Sequence, residues 1–120
     1  MSDDVKSKKY DLEERTFFFA KEVINFTKGL PRTIANIETI KQVIRSSGSV
    51  GANYIEANEA LGKKDFAMRI RICRKESKES RYWLRLLEIK EKVSEEKREK
   101  LITEATEFTK IFGAILEKTK

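Results

Sequence analysis

The sequence predicts an all-α chain folded as an antiparallel, up-down-up-down four-helix bundle. Three observations carry this. Apolar residues recur at alternating steps of three and four along four separate stretches, the period of a helix burying one face. The breaks between the stretches are short. No stretch shows the strict alternation of a half-buried strand. At 120 residues the chain is long enough for one modest core, and 38% charged residues suit a soluble bundle with salt-bridged outer faces. Residues 1–10, mixing aspartate, lysine and serine, are expected to form a flexible lead with no secretory signature, and 11–120 a single domain.

The first helix is expected over about 12–29. Asp11 would cap it, with Glu14 completing a capping box, and Leu12, Thr16, Phe19, Val23, Phe26 and Leu30 form its buried seam. Gly29 and Pro31 close it. The second, over about 34–61, is capped by Thr33 and has the seam Ile37, Ile40, Ile44, Ser47, Gly51, Tyr54, Asn58 and Leu61. Its middle, Ser46 to Ala52, reads as a loop on propensity alone, because glycine costs about 1 kcal/mol inside a helix.

The third helix, over about 63–92, settles that point. Its seam is Phe66, Ile70, Cys73, Ser77, Ser80, Leu84 and Leu87, again small in the middle. Small residues facing small residues let two backbones approach, so the second helix is predicted continuous through Gly48 and Gly51. Cys73 then becomes a small core residue rather than a reactive thiol. The fourth helix, over about 95–118, takes Ser94 as its cap and Leu101, Ala105, Phe108, Phe112 and Ile115 as its seam. Phe17, Ile24, Ile72 and Leu86 fall off the seams. They either widen the core or form a second apolar face for self-association.

Composition narrows the chemistry. The chain has no histidine and one cysteine, which removes most zinc sites, most general-base chemistry and any internal disulfide. A reducing cytoplasm is the expected home. No phosphate loop exists, since Gly48-Ser49-Val50-Gly51 is not followed by lysine. Glu56, Glu59, Glu76 and Glu79 lack the histidines of a bundle di-metal site and are expected to pair with Arg45, Arg69 or Lys75. No catalytic residue, metal or cofactor is therefore expected, and the chain reads as a non-enzyme.

The net charge of +6 has one location. Residues 63–92 carry eleven basic and five acidic side chains, while the segments on either side are balanced. Arg71, Arg74, Lys78, Arg81 and Arg85 recur at helical spacing as one basic stripe. Such a stripe is either a solvated, salt-bridged face or a phosphate-binding surface, with arginine well matched to phosphate geometry. Tyr82 and Trp83 lie beside it and could stack on a base, although Trp83 suits the core equally. Nucleic-acid contact through phosphates is the reading preferred here. A scaffold or adaptor for a protein partner is the alternative.

Several segments resemble a known family. They are Asp11-Leu12-Glu13 with Thr16-Phe17, Leu30-Pro31, Ser49 to Ala57, Lys64-Asp65-Phe66, and Lys75 to Leu84. Together they are similar to the bacterial four-helix-bundle proteins encoded in intervening sequences of 23S ribosomal RNA genes. Related to these is the pentameric accessory subunit of diversity-generating retroelements, which works with a reverse transcriptase and nucleic acid. The resemblance implies a four-helix bundle and a homopentamer, and carries over no enzymatic activity. The matching positions Asn53, Glu56, Glu76, Glu79 and Trp83 are expected to form a polar network where the second and third helices meet, fully paired if buried.

Overall fold

A computed structural model describes the backbone of residues 2–120 and the side chains of residues 12–120. Four helices follow in order, α1 (Ser2–Thr27), α2 (Ile34–Asn58), α3 (Lys63–Leu86) and α4 (Lys92–Lys118). Each packs on its sequence neighbours, and α4 closes back on α1, so the chain is a four-helix bundle. The side chains of the proposed lead and of the Asp11 cap lie outside the described residues. α1 itself is drawn from Ser2, ahead of Asp11.

The α1 seam is buried throughout, as are the α3 seam apart from a half-buried Phe66 and the α4 seam apart from a half-buried Ile115. Phe108 and Phe112 are fully enclosed. The first takes the Phe19 ring edge-on at 5.4 Å, and the second meets Tyr54 at 5.8 Å. α1 and α4 touch least, leaving a groove of about 350 Å³ over Phe19, Phe26 and Leu101.

α2 is continuous through Gly48 and Gly51, as the small residues of α3 implied. Its most extensive contact is with α3. Ser80 donates to Ser46 Oγ at 2.9 Å, and the Cys73 thiol lies 3.4 Å from the Val50 carbonyl oxygen. The seam needs correcting, however. Ile37 and Ile44 are each 38% exposed and Leu61 fully so, while Asn36, Val43, Ser46, Val50 and Ala57 are buried. The buried face of α2 is wider than a single stripe, and the part facing α3 sits one position earlier. Gly51 serves α1 instead of α3. A β-carbon there would lie 2.9 Å from Thr16 Oγ1, whereas Gly48 has open space around it.

The helix ends differ from expectation for local reasons. α1 stops at Thr27 in a turn closed by the Leu30 amide on the Thr27 carbonyl at 3.3 Å. Gly29 supplies no left-handed cap, for no described residue has positive φ. α2 ends at Asn58, short of 61. α3 ends at Leu86 rather than near 92, because the chain turns extended at Leu87 to return Leu87 and Ile89 to the core. Asn36 fixes that turn. Its amide nitrogen donates to the carbonyls of Pro31 and Glu88, each at 3.0 Å, and its oxygen accepts from the Glu88 amide at 2.8 Å. Thr33 caps α2 as expected, accepting from the Asn36 amide at 3.1 Å. Ser94 does not cap α4, which starts a turn earlier behind Glu91.

Candidate nucleic-acid interface

α3 sorts its charges by side. Its buried seam divides the exposed surface into a flank toward α2 and a flank toward α4. Glu76 and Glu79 lie on the α2 flank, where Arg45 pairs with both, at 3.3 and 3.0 Å. Lys75 adds a weaker contact to Glu79 at 4.0 Å. Both carboxylates of the middle of α3 are thus neutralised on one flank. Arg71, Arg74, Lys78, Arg81 and Arg85 lie on the other, all exposed, and none forms an ion pair among the described residues. With α3 ending at Leu86, the helix holds nine basic and three acidic residues, so it still carries the whole excess of six.

Opposite the stripe, α4 places one glutamate in each of two grooves, and neither pairs with a stripe residue. At one end Arg71 and Arg74 wall a groove of about 680 Å³ whose other side is Thr109, Lys110, Gly113, Leu116, Glu117 and Lys120. Glu117 is already held by Lys120 at 3.1 Å. The Arg74 guanidinium lies over Gly113, where a β-carbon would make an ordinary contact of 3.5 Å with its Nε. At the other end Arg81 and Arg85 wall a smaller groove of about 250 Å³ with Arg98, Glu99 and Ile102. Arg98 is committed to structure. It donates to the Leu87 carbonyl at 2.7 Å, where a cation complements the C-terminal end of the α3 dipole, and pairs with Glu95 at 2.8 Å. From Arg71 to Arg85, a row of cations with no ion pair among the described residues spans about 21 Å of helix.

Sequence reasoning found the stripe but not its opposing wall. Lys110, Gly113 and Lys120 were hidden because the fourth helix is balanced in charge and none of the three lies on its apolar seam. Their usable signal was position one past Thr109 and Phe112, on the flank that α3 covers.

The expected polar network divides into two clusters. Arg45, Glu76, Glu79 and Lys75 form one. In the other, Asn53 donates to the Ser49 carbonyl at 2.9 Å and accepts from Arg69 at 3.1 Å. Glu56 is exposed and joins neither. Pairing is also incomplete, with Glu76 Oε1 and the Trp83 indole nitrogen buried without an aligned hydrogen bond. Trp83 is half-buried against the core and holds Tyr82 edge-on at 5.0 Å, so of the two aromatics it is Tyr82 that faces solvent.

Cys73 is fully buried, and loss of water around the thiol pushes its pKa from 9.0 up to about 12. Burial likewise raises the Tyr54 phenol. Among the described residues no cluster of acidic or cysteine side chains could hold a metal ion, and no helix is long and apolar enough to cross a membrane.

The fold and its surface can now be set beside known proteins. No curated protein matches the chain. A crystal structure from Bacteroides thetaiotaomicron, of a protein of unknown function from the S23 ribosomal protein family, is similar at 30% identity and a TM-score of 0.77. The match covers 92% of this chain and 98% of that one. The family model described as 23S rRNA-intervening sequence protein matches residues 8–114. The chain therefore belongs to the 23S rRNA-intervening sequence protein family.

Proposed function

We propose that this protein is a non-enzymatic, homo-oligomeric bundle of the cytoplasm that binds RNA or DNA through phosphate contacts on α3. One observation carries the reading. Five exposed cations line one flank of a helix and form no ion pair among the described residues, while Glu76 and Glu79 of that helix pair with Arg45 on the opposite flank. Unpaired arginines along a groove suit phosphate oxygens and supply no base readout, so binding is general rather than sequence-specific.

The test is fluorescence anisotropy with labelled RNA and DNA over a salt series. Five phosphate contacts give a log–log salt slope of about −3.5 on a single strand or about −4.5 on a duplex. The triple variant Arg74→Glu, Arg81→Glu, Arg85→Glu, checked for retained helicity, should abolish binding. Unchanged retention at low salt would refute the reading.

The oligomer rests on a different surface. Phe17, Ile24, Ile44 and Ile55 are exposed on the outer faces of α1 and α2, too apolar to be left wholly to water. The pentameric ring suggested by resemblance to the retroelement accessory subunit is the form to look for by native mass spectrometry. The same surface favours the second reading, a scaffold for a protein partner. That reading gains if charge reversal leaves nucleic-acid retention intact.

A further inference from the structure

Beside the cationic stripe, α3 carries a second exposed row. Met68, Lys75 and Tyr82 repeat at seven-residue spacing, with Leu86 four further on. Met68, Tyr82 and Leu86 are 43%, 55% and 50% exposed, and Lys75 reaches only weakly to Glu79. This row runs parallel to the arginines, displaced away from α4. Two parallel rows on one helix, one cationic and one largely apolar, match the two edges of a single nucleic-acid strand. Its phosphates carry the charge and its unpaired bases offer flat apolar faces.

A duplex fits less well. Its bases are stacked inward, and its phosphates would leave the apolar row uncovered. Tyr82 is suited to stacking because its ring is held edge-on against the half-buried Trp83 and little conformational freedom is lost on contact.

Building on the nucleic-acid reading, we propose that the ligand is single-stranded. Its backbone lies in the α3–α4 groove between the α3 arginines on one side and Lys110 of α4 and Lys120, just past the end of that helix, on the other. Its bases turn over the outer face of α3, one of them stacking on Tyr82. α4 is thereby a second wall of the site.

The test measures anisotropy of a labelled oligothymidine of about 20 nucleotides and of the same strand annealed to oligoadenosine, on the full chain in its native oligomer. The single strand should bind at least about tenfold tighter than the duplex. Tyr82→Ala should weaken the single strand about tenfold and leave the duplex unchanged, while Tyr82→Phe keeps wild-type binding. Replacing Lys110 and Lys120 by glutamine should reduce the single-strand salt slope by about 1.4, a readout that a purely structural role would not move.

If the duplex binds as well as the single strand and Tyr82→Ala changes neither, the single-strand proposal fails. The nucleic-acid reading then survives, provided the triple arginine reversal still abolishes binding. If neither probe binds at low salt, both fail together. If Tyr82→Ala alters the mass of the assembly instead of the affinity, the outer row is a subunit contact and the proposal is overturned.

Discussion

Gly48 and Gly51 lie three residues apart in one helix, and the same substitution should act in opposite directions at the two. In a helix interior, Gly→Ala removes a backbone-entropy penalty of about 0.5–1 kcal/mol. At Gly48 nothing lies within 4 Å of the new β-carbon, so Gly48→Ala should stabilise the protein by about that amount. At Gly51 the β-carbon would sit 2.9 Å from Thr16 Oγ1, 3.2 Å from Thr16 Cβ and 3.5 Å from its carbonyl carbon. Thr16 cannot easily give way, because it is 1% exposed and its hydroxyl donates to the Glu13 carbonyl at 3.0 Å. Overpacking of this kind costs about 1–3 kcal/mol, which exceeds the propensity gain.

The two variants should therefore differ by about 1–3 kcal/mol, with Gly48→Ala above wild type and Gly51→Ala level with it or below. Urea unfolding followed by circular dichroism reads this directly, with the m-value unchanged. Thr16→Ala removes the nearest clashing atom, so combining it with Gly51→Ala should recover about 1 kcal/mol of coupling in a double-mutant cycle. A Gly51→Ala protein as stable as Gly48→Ala would show that α1 does not approach α2 as closely as described.

Two further outcomes follow from buried groups. Asn36→Ala should cost about 2–4 kcal/mol in the same urea assay, because three hydrogen bonds are lost, two of them joining the α1–α2 turn to the α3–α4 turn, and the Glu88 backbone amide loses its partner. A loss under about 1 kcal/mol would mean that the two turns are held by their apolar contacts alone. Cys73 should resist thiol reagents at pH 8 in the folded protein and react once urea unfolds it. Its folded pKa is raised from 9.0 to about 12, so the thiol's contribution to stability is full below pH 9 and is lost as pH rises toward 12. Rapid labelling of the native protein would contradict the burial.

The amino-acid sequence by itself determined the helix count, the bundle, and the inward faces of α1, α3 and α4. Each of those helices buries essentially one stripe, and a single stripe has a single period that can be read locally. The continuity of α2 was legible too, through the matching small residues of α3. The inward face of α2 was not, since small polar residues such as Ser46 and Ser47 fill its buried side while Ile37, Ile44 and Ile55 are left partly in water, so apolar periodicity no longer marks the face that packs.

The functional surface divides along the same line. The basic stripe of α3 is a property of one helix, and spacing alone revealed it. Whether those arginines were paired was decided only in three dimensions, by Arg45 pairing with Glu76 and Glu79 on the far flank and by Glu99 and Glu117 of α4 forming no ion pair with the stripe on the near one. Tyr82 and Trp83 are adjacent in sequence with similar chemistry, yet packing buries one against the core and leaves the other in solvent. Periodicity tells which residues share a face of a helix. Which neighbour covers that face, and with what charge, depends on chain segments far away in sequence.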